Sequence, residues 1–390
     1  MNLYKQSQIY ILKPVIEDKK ISYDVYIKNV KYNFYIYYNI LPTGVLNDNI
    51  DGIVTMLTPV AICSNLEIHS DQSIDLELYN NLMKIPEVYK KYHHQHTSLL
   101  AHIKKEDLQL KLCLDTVTRS KNDGVNITSI SLGVDSLYAI DKYSQDLSHL
   151  IYIKGLDLSY TVKSIYYNLL YVNGVYKKQL ILAKSNFKQT MDQLKIPGNN
   201  YTIFLSDPIF VASVYPLGVG KIIFNGFGID KSFPCLFGQH IDLDDCLVSN
   251  EFETINVDCI RIKKIKHIVE NAPELLKILR VCNQIVPSVG LKKIETTDGF
   301  YYTGIFNCSN CAKCSFTLAY LYMLNKCKNA VTFNNQTNYL IIKESPYLTF
   351  TYFKMIFDQV YQLFKNNKIH EINNYKIVFE NSVCKCYLNN

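Results

Sequence analysis

Two short segments of this sequence carry residue types at spacings that can do chemistry. The first is Ser131-Leu132-Gly133-Val134-Asp135-Ser136. A short β run, Ile127-Thr128-Ser129-Ile130, leads into it, and Leu137 to Tyr143 follows with a helical pattern. A strand that ends in a turn and opens a helix gathers free backbone N–H groups and the positive end of the helix dipole at one point, where polyphosphate binds well. Gly133 allows close backbone approach, Ser131 and Ser136 offer hydroxyls to phosphate oxygens, and Asp135 can cap the helix or orient a magnesium-bound water. Neither G-x-x-x-x-G-K-[ST] nor G-x-G-x-x-G occurs after this strand. The plain alternative is a serine-rich turn before a helix.

The second segment is Asn307-Cys308-Ser309-Asn310-Cys311-Ala312-Lys313-Cys314. Cys308, Cys311 and Cys314, three residues apart, can turn their thiolates onto one ion around a tight knuckle, and a fourth ligand completes a tetrahedral zinc site. A bacterial ferredoxin cluster would need three residues and then Cys-Pro, but Cys314 is followed by Ser315-Phe316-Thr317-Leu318. Cys327 falls within the helix expected after the knuckle and should point elsewhere. Cys282, in Leu279-Arg280-Val281-Cys282, is the better fourth ligand.

At Ser131 to Ser136 the sequence resembles the PP-loop ATP pyrophosphatase superfamily, whose motif is Ser-Gly-Gly-x-Asp-Ser. The match holds at Ser131, Gly133, Asp135 and Ser136 and departs at Leu132, where the family usually has its first glycine. A Cβ there crowds the pyrophosphate or forbids a positive φ: with Leu132 at negative φ and its side chain packed backward the cradle survives, and otherwise the site is vestigial. The order Leu-Arg-Val-Cys, then Asn-Cys-x-x-Cys-x-Lys-Cys, then a helix is similar to a group of PP-loop proteins with an N-terminal β-rich extension. The pairing of an N-terminal PP-loop with a C-terminal cysteine knuckle also resembles 7-cyano-7-deazaguanine synthase-like proteins. The likeness runs from about residue 50 to about 325 and includes Lys154-Gly155-Leu156-Asp157 and Gly238-Gln239-His240. It implies an α/β fold, a parallel sheet flanked by helices of the adenine nucleotide α-hydrolase (Rossmann-like) kind. It further implies ATP and Mg2+ at Ser131, Leu132, Gly133, Val134, Asp135 and Ser136, with Asp135 and Ser136 nearest the chemistry, and structural Zn2+ on Cys282, Cys308, Cys311 and Cys314.

The implied reaction is adenylation of a carboxylate or carbonyl oxygen with release of pyrophosphate, then nitrogen (or sulfur) transfer, as in a C–N ligase acting on a small or nucleobase-like substrate. Two alternatives stand beside it: a tRNA-modifying enzyme built on the same loop, and a degenerate, non-catalytic nucleotide-binding or scaffold protein.

Other residues carry weaker signals. His240 with Asp242, Asp244 and Asp245 either lines a substrate pocket and helps hold magnesium or forms a solvated acidic loop. His93, His94 and His96 lie in a polar, Lys-flanked stretch and read as surface. Asn225-Gly226-Phe227-Gly228 is either a wall of the nucleotide site or an ordinary turn, and Lys154 and Lys231 are phosphate neutralisers or, by default, solvated lysines. Cys384 and Cys386 read as incidental.

These residues need a scaffold, and the chain is long enough to supply one. It has 390 residues, 48% hydrophobic and 19% charged, a globular balance. The net charge of +6 permits contact with phosphates without concentrating into a basic run. Met1 to Pro14 lacks the pattern of an export signal, and no window approaches the ~18 apolar residues of a membrane span, so a cytoplasmic protein is expected. The 12 cysteines then read as reduced thiols.

The expected organisation is a β-rich accessory domain over 1–120, a PP-loop domain with its knuckle over 121–328, and a C-terminal α+β extension over 329–390. Ile21 to Lys28 and Tyr32 to Tyr37 alternate as strands, Asp75 to Ile85 reads as a helix stopping before Pro86, and Leu108 to Leu114 alternates again. Thr116 to Asn126 reads as a linker. Leu150 to Gly155, Tyr176 to Ala183, Thr202 to Leu205 and Lys221 to Phe224 read as further strands between helical stretches, and Pro273 to Arg280 as a helix. An amphipathic helix is expected around Phe353 to Phe364.

Overall fold

The computed structural model describes residues 7–93, 103–156, 163–226, 238–282, 289–309, 312–324, 326, 329–333, 371–372, 375–380 and 383–388. The chain divides into two compact units. One comprises 1–129, 143–159 and 178–259, the other 130–142, 160–177 and 260–390.

The first unit is built on one mixed sheet. Its strands are β1 (Gln8–Ile11), β2 (Val15–Glu17), β3 (Lys20–Ile27), β4 (Val30–Tyr38), β5 (Glu67–Ser70), β7 (Lys111–Cys113), β9 (Asn126–Ser129), β10 (His149–Lys154), β11 (Gln179–Ser185), β12 (Lys221–Phe224) and β13 (Glu253–Asn256). The short strands β6 (Ile74–Asp75) and β8 (Thr116–Val117) pair separately. The order is β13-β12-β9-β10-β11-β4-β3-β1-β5-β7, with β2 on β3. From β13 to β11 every pairing is parallel. At β11 the sheet turns antiparallel to β4, and β4, β3 and β1 continue so. The fold is therefore α/β, but its sheet is mixed: the N-terminal strands extend the parallel strands instead of closing on themselves.

Alternation explains this. In β3, Ile21, Tyr23, Val25 and Ile27 are buried while the residues between them are not, so one face must be covered. Helix α1 (Asp51–Ser64) helps supply that core. All its residues but Ser64 are buried, and it packs against α7 (Ser206–Val214), itself wholly buried. A Cβ on Gly52 would meet the backbone of Ala212 at 3.0 Å, so glycine sets the approach of the two helices. Thr202 to Leu205, expected as a strand, is instead a turn of π-helix (Tyr201–Leu205) running into α7. Thr, Ile and Phe favour strands on a half-buried surface, but that preference is weak and here it is overridden.

Pro86 does not stop a helix either. Helix α2 (Leu76–Leu82), capped by the Asp75 carboxylate on the Leu78 N–H, ends earlier, and Pro86 lies in the first turn of α3 (Ile85–Tyr92). The stretch read as a linker is pinned: Arg119 Nε donates to Asp51 Oδ2 at 3.0 Å, and the Asn122 N–H to the Glu251 carbonyl at 2.8 Å.

From β9 the chain proceeds outward to β10 and β11, then returns to lay β12 and β13 on the other side of β9. Order reverses between β9 and β12, the kind of position where open α/β sheets bind ligands beyond the carboxyl ends of their strands. Asn225, just after β12, ties these two ends together. Its Nδ2 donates to the Ser129 carbonyl at 3.0 Å and to Ser129 Oγ at 2.7 Å, and its Oδ1 accepts from Thr128 Oγ1 at 2.7 Å.

The second unit contains α4 (Val134–Lys142), α5 (Lys163–Tyr176), α9 (Arg261–Asn271), the hairpin β14 (Val289–Thr296) and β15 (Gly299–Ile305), and α10 (Ala312–Met323). Helices α6 (Phe187–Leu194) and α8 (Ile241–Asp244) belong to the first unit. Only Pro273–Lys277 of the stretch expected as a helix before Cys282 is helical, and as a 3-10 turn. Strands β16 (Glu371–Ile372), β17 (Tyr375–Glu380) and β18 (Val383–Leu388) pair antiparallel. The helix expected at 353–364 lies outside the described residues. Among the described residues no helix is long and apolar enough to cross a membrane.

Candidate functional site

The turn at 131–136 follows β9 directly and opens α4, as its sequence predicts. Leu132 does not hold the expected negative φ. It sits at 63°, in the left-handed region that favours glycine, with its side chain buried to 1% exposure. For a non-glycine residue this conformation costs about 1–2 kcal/mol. Burial of the side chain and a 2.8 Å hydrogen bond from the Arg280 N–H to the Leu132 carbonyl hold it there. The backbone thus follows the path a glycine would permit, and the leucine side chain is packed inward.

The serines close the turn on itself. Ser136 Oγ donates to the Gly133 carbonyl at 3.1 Å and accepts from the Ser131 N–H at 3.2 Å, and the Gly133 N–H reaches Ser131 Oγ at 3.4 Å. Val134, Asp135 and Ser136 open the helix, so their N–H groups have no acceptor within it.

Asp135 faces two cations from α9. Its Oδ2 accepts from Arg261 Nη2 and its Oδ1 from Lys264 Nζ, the latter at 3.1 Å. Lys264 is fully buried and Arg261 nearly so. Burial alone would raise the Asp135 carboxyl, but Arg261 and Lys264, with Lys313 adding, override it and hold it below its ordinary value. Sequence reasoning missed Arg261 and Lys264. The signal was there in Arg261-Ile262-Lys263-Lys264-Ile265, where two bases three apart share a helix face with buried isoleucines. A second clasp fixes α4: His267 Nε2 and Asp141 Oδ2 lie 2.6 Å apart, and Tyr176 Oη donates to Asp141 Oδ1 at 2.8 Å.

The cysteine cluster forms largely as the spacing predicts. The Sγ atoms of Cys282, Cys308 and Cys314 all lie within 4.8 Å of one another, with Cys308 and Cys314 3.9 Å apart. Zinc–sulfur bonds of about 2.3 Å in a tetrahedron place sulfurs ~3.8 Å apart, so the three could hold one metal ion. Cys311 and Cys327 lie outside the described residues. Asn307 is the organiser that sequence reasoning left without a role. Its Oδ1 accepts from the Val281 and Cys282 N–H groups at 2.8 and 3.1 Å, and its Nδ2 donates to the Leu279 carbonyl at 2.9 Å. Residues 279–282 thus join the two segments: Arg280 props Leu132, and Cys282 enters the thiol cluster.

Comparison with protein-family models, curated proteins and solved structures finds no match for this chain.

Among the remaining candidates, Asp242, Asp245 and His240 have local partners of their own. Asp242 accepts from Lys91 Nζ at 2.6 Å and Tyr92 Oη at 2.8 Å, while Asp245 accepts from Asn256. His240 is buried, its Nδ1 accepting the Asp242 N–H at 3.1 Å. His93 bonds the Ile103 carbonyl, and His94, His96, Asp157, Phe227, Gly228 and Lys231 lie outside the described residues. Gly155 has a structural reason: φ is 106°, and a Cβ would meet the Ser185 carbonyl at 2.2 Å.

Asp244 is buried beside Asp207. Burial first, then the Asp207 charge, pushes its carboxyl well above the ordinary range. With the folded value raised, this group costs stability as pH climbs above the unfolded value of about 4. Asp244→Asn is therefore expected to stabilise the chain by roughly 1 kcal/mol or more at pH 8 and by less at pH 5. Urea denaturation at the two pH values checks this, and an equal effect at both would show that the proton is not involved.

Proposed function

We propose that this chain is an ATP-dependent adenylating enzyme of the PP-loop ATP pyrophosphatase type, with polyphosphate on the turn at 131–136 and zinc on the cysteine cluster. The observation that carries the reading is the turn itself, which opens α4 with the Val134, Asp135 and Ser136 N–H groups lacking an acceptor within the helix. The buried leucine follows the backbone path of the motif's glycine at a φ of 63°, against the negative φ expected of a working cradle, and that strain counts toward the second reading below. Strain of this kind persists where the surroundings over-determine it.

Bound ATP would supply the adenylyl group that activates a carboxylate or carbonyl oxygen of a small or nucleobase-like substrate. The Val134, Asp135 and Ser136 N–H groups, with the Ser131 and Ser136 hydroxyls, would receive the pyrophosphate, and Asp135 would address Mg2+ only by loosening its bonds to Arg261 and Lys264. Zinc on Cys282, Cys308 and Cys314, with Cys311 as its fourth ligand, would be closed by four thiolates and so hold structure.

A second reading has its own observation. The Ser131 and Gly133 N–H groups already bond to serine oxygens, and both Asp135 oxygens are engaged, as in a turn that has lost its ligand. Magnesium-ATP separates the two. At a hundred times its Kd it should stabilise the wild type by about 2.7 kcal/mol, read as a rise in Tm, and Ser131→Ala should lose that rise. A wild-type Tm indifferent to ATP, together with no pyrophosphate release on any carboxylate offered, would leave the non-catalytic reading.

A further inference from the structure

Apart from the turn and the knuckle, one more group of metal-ligating side chains converges among the described residues. It lies at the β7 edge of the sheet in the first unit. There β5 sits between β1 and β7, parallel to both, with Glu67 opposite Gln8 and Lys111, and His69 opposite Tyr10 and Cys113. Ile68 and Leu112 point into the core, so the pleat puts Glu67, His69, Lys111 and Cys113 on the other face. Residues two apart on one strand and directly opposite on its neighbour are the closest same-face neighbours a sheet offers.

We propose that Glu67, His69 and Cys113 form a divalent transition-metal site of zinc-binding chemistry, with one coordination position left to water.

Three observations support it. The ligand atoms of the three side chains all lie within 4.8 Å of one another. They represent the three protein donor types that zinc takes: carboxylate oxygen, imidazole nitrogen and thiolate sulfur. And His69 Nε2 is caught between opposed demands, lying 3.1 Å from Glu67 Oε2 and 3.1 Å from Gln8 Nε2. A neutral ring nitrogen offers either one proton or one lone pair, whereas the carboxylate asks for the proton and the amide N–H for the lone pair. A cation taking the lone pair and the carboxylate satisfies both of those groups and leaves the Gln8 N–H to another acceptor. The Cys113 thiol is exposed and completes the set from the neighbouring strand. On binding it gives its proton to solvent, one proton per ion, with no change of oxidation state.

Three protein ligands and a water are the arrangement of zinc sites open to exchange, in contrast to the knuckle. Lys111 Nζ, 3.7 Å from Glu67 Oε1, borders the site with a positive charge, so an anion is the class of ligand favoured at the open position.

The test uses the full chain, stripped of metal under reducing conditions, then exposed to zinc chloride. Timed alkylation is read by mass spectrometry on the peptide carrying Cys113, so zinc entering the Cys282–Cys308–Cys314 cluster does not register. Zinc at micromolar concentration is expected to slow Cys113 alkylation about tenfold or more. The rate at Cys259 should not change. His69→Ala should restore the metal-free rate and Glu67→Gln most of it, both being replacements of partly exposed side chains that the fold tolerates. Zinc leaving the wild-type Cys113 rate unchanged, or protecting Cys113 equally in His69→Ala, would overturn the site.

Discussion

Replacing Cys314 with serine is expected to lose zinc from the chain and to lower Tm by ~10 °C or more. Cys314 is fully buried and 3.9 Å from the Cys308 sulfur, so the substitution takes one of the three clustered thiols from the interior of the site. Structural zinc in small domains carries about 10–16 kcal/mol of apparent binding free energy, and a fraction of that exceeds any single packing defect. The consequences should reach beyond the cluster. Cys282 belongs to the segment whose Arg280 N–H props the Leu132 carbonyl, and Asn307 holds that segment through the Val281 and Cys282 N–H groups. Loss of the metal should therefore weaken any nucleotide binding at the turn as well as stability. Metal analysis is expected to find about one zinc fewer per chain in Cys314→Ser than in the wild type. Cys259→Ser, which leaves Cys282, Cys308 and Cys314 in place, should keep its zinc. Iron with a visible charge-transfer band in the wild type would defeat the zinc assignment.

Asp135→Asn is expected to cost about 3–5 kcal/mol, because it strands Arg261 and Lys264 in the interior without their counter-charge. The amide can still accept one hydrogen bond, so the loss reports charge more than shape. Guanidinium denaturation at pH 7 measures it, and Lys264→Met on the asparagine background should recover part of the loss by removing one stranded charge. The sign with pH follows from the depressed carboxyl. Its contribution is fully present above the unfolded value of about 4 and is lost as pH falls through the lower folded value. Wild type and Asp135→Asn should thus converge in strong acid. A cost below about 1 kcal/mol at pH 7 would mean the triad behaves as an exposed ion pair.

Local readings succeeded where a short pattern met a local rule. The alternation of Ile21 to Lys28 and the strand-turn-helix at Ile127 to Tyr143 needed only side-chain period and turn chemistry. Failures came where burial is complete. Helix α1, buried along all but its last residue, presents no amphipathic period, and Tyr201–Leu205 carries strand-forming residues yet forms a π-helical turn. The stretch at 116–126 looks like a linker because it is polar, yet Arg119 spends that polarity on buried Asp51. Such pairing joins residues 68 positions apart and leaves no local trace.

The sequence by itself determined the position of the turn at Ser131 to Ser136, the helix it opens and the spacing of Cys308 and Cys314, since each rests on contacts within a few residues. Only the tertiary structure decided how Leu132 behaves, that Asp135 belongs to Arg261 and Lys264, that the N-terminal strands extend the parallel ones, and that Glu67, His69 and Cys113 meet. Strand register, helix packing and the pairing of buried charges join residues dozens to more than a hundred positions apart, and their energies exist only once the chain has closed around them.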